Sequence, residues 1–120
     1  MLHHVSLEVP NDDVERTVEF WGLLGFDRVE PPEPIAPFVT WLERDANQIH
    51  FIHTPEATAP ALGHPALVAT EFETTLARLR DAGFEVEPAD ELWGEQRAFA
   101  VMPGGQRVEI MAAPPSAAGT

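Results

Sequence analysis

His4-Val5-Ser6-Leu7-Glu8-Val9-Pro10 alternates apolar and polar side chains, and a similar opening, His64-Pro65-Ala66-Leu67-Val68, returns sixty residues later. A period of two reads as a half-buried strand. Val5, Leu7 and Val9 take one face, and His4, Ser6 and Glu8 take the other. Working outward, Pro10-Asn11-Asp12 punctuates the strand, and Asn11 or Asp12 is placed to cap a helix. Asp12, Asp13 and Glu15 suit the positive end of that helix. Val14, Val18 and Trp21 then fall at i, i+4 and i+7 to give one apolar stripe, and Gly25 is the expected stop. Strands are expected over 26–30, 38–42 and 48–53. A proline-interrupted loop at Pro31, Pro32, Pro34 and Pro37 separates the first two, and a turn at 44–47 the last two.

After a Pro-, Ala- and Gly-rich connector at 54–63, the same order repeats. A strand at 64–70 leads to a helical stripe of Phe72, Leu76 and Leu79, stopped at Gly83. Strands follow at 84–86, 98–102 and 106–111, the last two joined by Pro103-Gly104-Gly105. Three landmarks stay in register: Gly25-Phe26 with Gly83-Phe84 (offset 58), His50 with Glu109 (offset 59), and His4 with His64 (offset 60). Such a drift of only two residues argues for an internal duplication. The expectation is an α+β fold of two βαβββ units in one domain over 1–113. Unit one covers 1–53 and unit two 64–113, with a flexible small-residue tail at 114–120.

Composition narrows the function classes. The 120 residues carry 20 acidic side chains against seven arginines and no lysine, a formal charge of −13. That field repels phosphate backbones, so nucleic acid is not an expected partner. No apolar run is long enough to span a bilayer, and the start of the chain lacks the regions of a signal peptide, so a cytoplasmic protein is expected. There is no cysteine, so any metal would be held by nitrogen and oxygen. No P-loop, serine elbow or dinucleotide fingerprint is present.

Strand parity places His4, His64, His50 and Glu109 opposite the helix-covered face. Glu109 lies between Val108 and Ile110, and His50 between Ile49 and Phe51. A polar group in such surroundings requires a partner for its buried atoms, and a divalent metal is one. His3 has the wrong parity and is expected to point at the helix or solvent. His53, opposite in parity to His50, is expected at the surface. Glu8 shares the face of His4 and is a candidate base. Arg97 is a candidate anchor for an anionic substrate group, and Trp41 a candidate pocket wall.

The chain resembles the vicinal oxygen chelate superfamily, which includes glyoxalase I, extradiol dioxygenases and bleomycin resistance proteins. The resemblance rests on His4–Pro10, on Leu23-Leu24-Gly25-Phe26, on His64–Val68 and on the closing run from Arg97 to Ile110, and it spans residues 2 to 112. It implies that the two units curl into a half-barrel, a curved mixed sheet around a metal. His4, His64 and Glu109 would be the ligands, with His50 in the slot of a fourth. Met102 departs from the family, which usually has Asp before this Pro-Gly. Two imidazoles and a carboxylate suit Zn, Ni, Mn, Co or Fe(II). The implied function is a metal-dependent isomerase or lyase acting on a small molecule that chelates the metal through vicinal oxygens, with Glu109 as both ligand and catalytic base. Two alternatives stand beside it: an Fe(II) ring-cleaving dioxygenase, and a metal-free protein that sequesters a cationic drug. A fosfomycin-modifying activity fits poorly, because those members rely on lysines. A homodimer is expected.

Overall fold

The computed structural model describes residues 1–115, so residues 116–120 of the expected tail lie outside the described residues. The chain is α+β and runs twice through one order. Unit one comprises β1 (His4–Pro10), α1 (Val14–Gly22), β2 (Asp27–Val29), β3 (Val39–Arg44) and β4 (Asn47–Thr54). Unit two comprises β5 (Ala66–Val68), α2 (Phe72–Asp81), β6 (Val86–Pro88), β7 (Arg97–Val101) and β8 (Arg107–Met111). Each unit forms a four-stranded mixed sheet, in the orders β1-β4-β3-β2 and β5-β8-β7-β6. In both, the first strand pairs parallel with the last, and the remaining pairs are antiparallel.

The Gly-Phe landmark has a physical reason. Each helix ends on a glycine in the left-handed region, Gly25 at φ 91° and Gly83 at φ 88°. The amide of Phe26 then donates to the carbonyl of Trp21 and that of Gly25 to Gly22, both at 3.0 Å. Phe84 donates to Leu79 at 3.0 Å and Gly83 to Arg80 at 2.9 Å. This is the paired bonding of a Schellman terminus, in which the residue after the glycine folds back on the last turn. Trp21 and Phe26 meet there edge to face at 5.1 Å. The same step carries Phe26 and Phe84 into the core, where each is 7% exposed.

The helix-facing sides of both sheets share one apolar core. Val9, Phe51 and Leu42 from unit one and Leu79, Val108 and Ile110 from unit two are fully buried. The units join from this side. Phe20 of α1 packs edge to face on Phe84 at 5.2 Å. The Arg16 guanidinium lies 3.8 Å from the centre of the Phe84 ring and donates to the Ala82 carbonyl. Arg44 donates to the carbonyls of Leu24 (3.2 Å) and Val68 (3.1 Å), tying the units at a second point.

Several boundaries differ from expectation. Neither Asn11 nor Asp12 caps α1: Asn11–Asp13 form a single 3-10 turn, and Asp13 precedes α1 without a side-chain capping bond. The one side-chain bond there runs the other way, the Thr17 hydroxyl donating back to the Asp13 carbonyl at 2.7 Å. The strand expected at 64–70 is only Ala66–Val68, because Pro65 has no amide hydrogen for a ladder. The strand expected at 84–86 begins two residues later, since Phe84 is bound into the helix terminus. Met102 is 2% exposed, so a core side chain stands where the resemblance implied a turn-forming Asp.

Candidate functional site

The two units present equivalent side chains on their outer faces in one register. In unit one, Ser6 on β1 stands beside His50 on β4, which stands beside Trp41 on β3. In unit two, Ala66 on β5 stands beside Glu109 on β8, which stands beside Phe99 on β7. His4 lies two residues before Ser6, and His64 two residues before Ala66. Position for position, His4 corresponds to His64, His50 to Glu109 and Trp41 to Phe99.

In unit one these positions build a neutral, aromatic group. The His50 ring is 7% exposed. It is stacked between His4 (3.9 Å, 18° between planes) and Trp41 (4.0 Å, 4°). Burial pushes its pKa from 6.5 down to about 4, and the neighbouring imidazoles of His4 and His3 push the same way. His50 is therefore uncharged at neutral pH. Its Nε2 lies 2.7 Å from Gln48 Oε1, and Gln48 Nε2 donates to Glu43 Oε1 at 3.1 Å.

His3 is exposed, in keeping with the expected solvent-facing placement, and its Nδ1 approaches His4 Nδ1 at 3.0 Å.

In unit two the same positions build a charged group. Glu109 is 8% exposed. One of its oxygens lies 2.9 Å from His64 Nε2, and the other accepts from Arg97 Nη1 at 3.4 Å. The other His64 ring nitrogen, Nδ1, lies 2.9 Å from the Leu62 carbonyl. Arg97 also donates to the Asp90 carbonyl at 2.6 Å, and its guanidinium lies 5.6 Å from the centres of both the Trp93 and Phe99 rings. Its charge is thus engaged within the protein, against the very carboxylate expected to act as base.

The structure thus brings His4 to His50 and His64 to Glu109. Among the described residues, no three His, Cys, Asp or Glu side chains are grouped to hold one metal ion. The donor types suit a borderline divalent ion, but one chain offers them as two half-sets. A cavity of about 550 Å³ between the starts of β1 and β5 is lined by both His4 and His64.

Of the remaining candidates, Glu8 meets the amide and hydroxyl of Thr58 in the connector, both at 3.4 Å. His53 has the expected parity but is half-buried, 2.7 Å from the Thr40 hydroxyl. Gln48 and Glu43 were not singled out by sequence. Gln48, two residues before His50 on one strand, was within reach of the same parity argument.

The fold is shared with known proteins. A glyoxalase-family structure from Bacillus anthracis superposes with a TM-score of 0.81 at 20% identity, over 92% of this chain and 93% of that one. The oxidase ChaP-H2 superposes at 0.74 and 18% identity, over 99% and 98%. A bleomycin-binding protein in complex with bleomycin superposes at 0.63 and 18% identity, over 92% and 98%. No curated protein matches the chain by sequence. The family model of the Glyoxalase/Bleomycin resistance protein/Dioxygenase superfamily matches residues 1–110, and the chain belongs to that superfamily.

Proposed function

We propose that the protein is a divalent-metal-dependent isomerase or lyase of the glyoxalase type, working as a homodimer whose sites form between copies. His4 of one copy would join His64 and Glu109 of the other, with His50 alongside. The observation that carries this reading is the matched pairing of His4 with His50 and of His64 with Glu109 at equivalent positions of two units joined from their helix side. Each outer face then holds half a donor set for a second copy to complete. The exposed side chains of Ile52 (44%) and Phe38 (64%), beside the unit-one half-set, suit such covering.

When bound, Zn, Ni, Mn, Co or Fe(II) would act as a Lewis acid toward two neighbouring substrate oxygens. The protein's own part is to move a proton. Glu109 is the base, and His64 and Arg97 fix its two oxygens. Arg97 is itself held between Glu109 and the Asp90 carbonyl, and the neutral Trp41–His50–His4 stack gives a flat apolar wall.

Mixing two defective chains tests the arrangement. His4→Ala and Glu109→Gln chains should each retain no tightly held zinc. When co-refolded, they should hold one ion per heterodimer, because one of its two sites then carries neither lesion. Sites built within one chain would gain nothing on mixing. His53→Ala should keep the native zinc content, since that side chain lies on the other face against Thr40.

A second reading draws on one observation: both Glu109 oxygens and His50 Nε2 already have protein partners, so the site closes its hydrogen bonds without an ion. Under that reading the protein sequesters a small molecule. Thermal stability unchanged by any of the five metals would favour it. Oxygen uptake with catechols on the Fe(II)-loaded protein would instead mark a dioxygenase.

A further inference from the structure

We infer that Gln48 is a positioning residue: the chain Glu43–Gln48–His50 fixes the His50 imidazole as its Nε2–H tautomer and keeps Nε2 from serving as a metal ligand. The metal part of this inference rests on the reading above; the tautomer does not.

The chain has an acceptor at one end. A carboxylate only accepts hydrogen bonds. The Gln48 atom 3.1 Å from Glu43 Oε1 must therefore be its amide nitrogen, which turns the amide oxygen toward His50. An amide oxygen also only accepts, so the His50 nitrogen 2.7 Å away must carry the hydrogen. A neutral imidazole has one N–H, so the lone pair falls on Nδ1.

Sheet register builds the chain. Glu43 stands directly opposite Gln48 across β3 and β4, and Trp41 directly opposite His50 in the next same-face row. The stack of Trp41 and His4 fixes the plane of the ring but not which edge faces Gln48, since a half-turn about the ring's attachment keeps the plane. The hydrogen bond to Gln48 decides the edge. The unit-two equivalent of His50 is Glu109, held by His64 and Arg97 rather than by an amide. The duplicated position has thus taken two roles: a charged ligand in one unit, and a locked, neutral wall in the other.

Histidine-labelled protein tests this by ¹³C and ¹⁵N NMR at pH 8, with and without Zn(II), using His50→Gln to assign the signal. The expected result is the Nε2–H tautomer for His50 in both native samples. In Gln48→Met that preference should be lost to a mixture, and in Glu43→Gln it should weaken, which guards against a folding defect in the first variant. Zinc affinity of His50→Gln and Gln48→Met should stay within about threefold of native, while His64→Gln loses at least a hundredfold. A His50 found as the Nδ1–H tautomer, or a tenfold loss of zinc in His50→Gln, would overturn the inference. Native protein that binds no zinc would sink the proposed function and leave the tautomer result to stand or fall by itself.

Discussion

The contact between His64 and Glu109 connects structure to metal chemistry most directly. His64 lies between the Leu62 carbonyl at Nδ1 and a Glu109 oxygen at Nε2, both at 2.9 Å. An ion held by both side chains would have to replace the second of these contacts. His50 gives an expectation of its own. Its pKa is held near 4, against 6.5 for the free side chain, so the unfolded chain takes up a proton that the folded chain refuses. The stabilisation is complete above pH 6.5 and is lost as pH falls toward 4, on the order of 3 kcal/mol. Denaturant melts of His50→Gln across that window should show a shallower pH slope than native; parallel curves would show that the burial has no such consequence. Much of this constellation was legible in sequence, because His4, His50 and Glu109 are fixed to faces by strand parity, while His64, two residues before β5, was reached through its repeat correspondence with His4. How they associate was not: each pair is set by which strands become neighbours, β1 beside β4 and β5 beside β8, and no local pattern encodes that.

At the scale of elements, glycine positions decided the most. Gly25 and Gly83 were read as helix stops and are the left-handed ends of two Schellman termini. The Pro103-Gly104-Gly105 turn is as demanding, since Gly104 sits at φ 92° and a Cβ there would approach Pro10 Cδ to 3.2 Å. Gly104→Ala should therefore lose roughly 1–3 kcal/mol from combined backbone strain and crowding. Gly22→Ala is the matched control: it lies at the end of α1 with no neighbour within 4 Å of a new Cβ, and should be neutral or gain up to about 1 kcal/mol. Thermal denaturation of the pair checks both, and equal melting temperatures would refute the strain argument. The order and type of the elements could be read from alternation, stripes and breakers. Their ends could not, where a competing bond took the residue. Phe84 belongs to a helix terminus rather than a strand because its amide is already committed to Leu79. Thr17, buried inside α1, donates back to the Asp13 carbonyl, and the amides that Asn11 or Asp12 were placed to cap receive no side-chain acceptor.

For the molecule as a whole, charge and site completion oppose each other. Each copy carries a formal charge of −13, so two copies repel as they approach. At low ionic strength that repulsion reaches tens of ångströms, and at 0.3 M salt it is confined to roughly 6 Å. Dimerisation should therefore strengthen with salt, the reverse of association driven by opposite charges. A divalent ion should add to this in a different way. In the proposed arrangement it would bring positive charge to an acidic interface and would draw ligands from both copies, so it would bind the dimer and not the monomer and shift the equilibrium by mass action. Sedimentation velocity of the native chain should show the dimer fraction rising between 20 and 300 mM NaCl, and rising further with zinc at either salt. The zinc increment should vanish in Glu109→Gln, while the salt increment, which needs only net charge, should persist. A chain that binds zinc yet sediments as a monomer under all these conditions would place the whole donor set within one copy and remove the reason for pairing His4 with a partner's carboxylate.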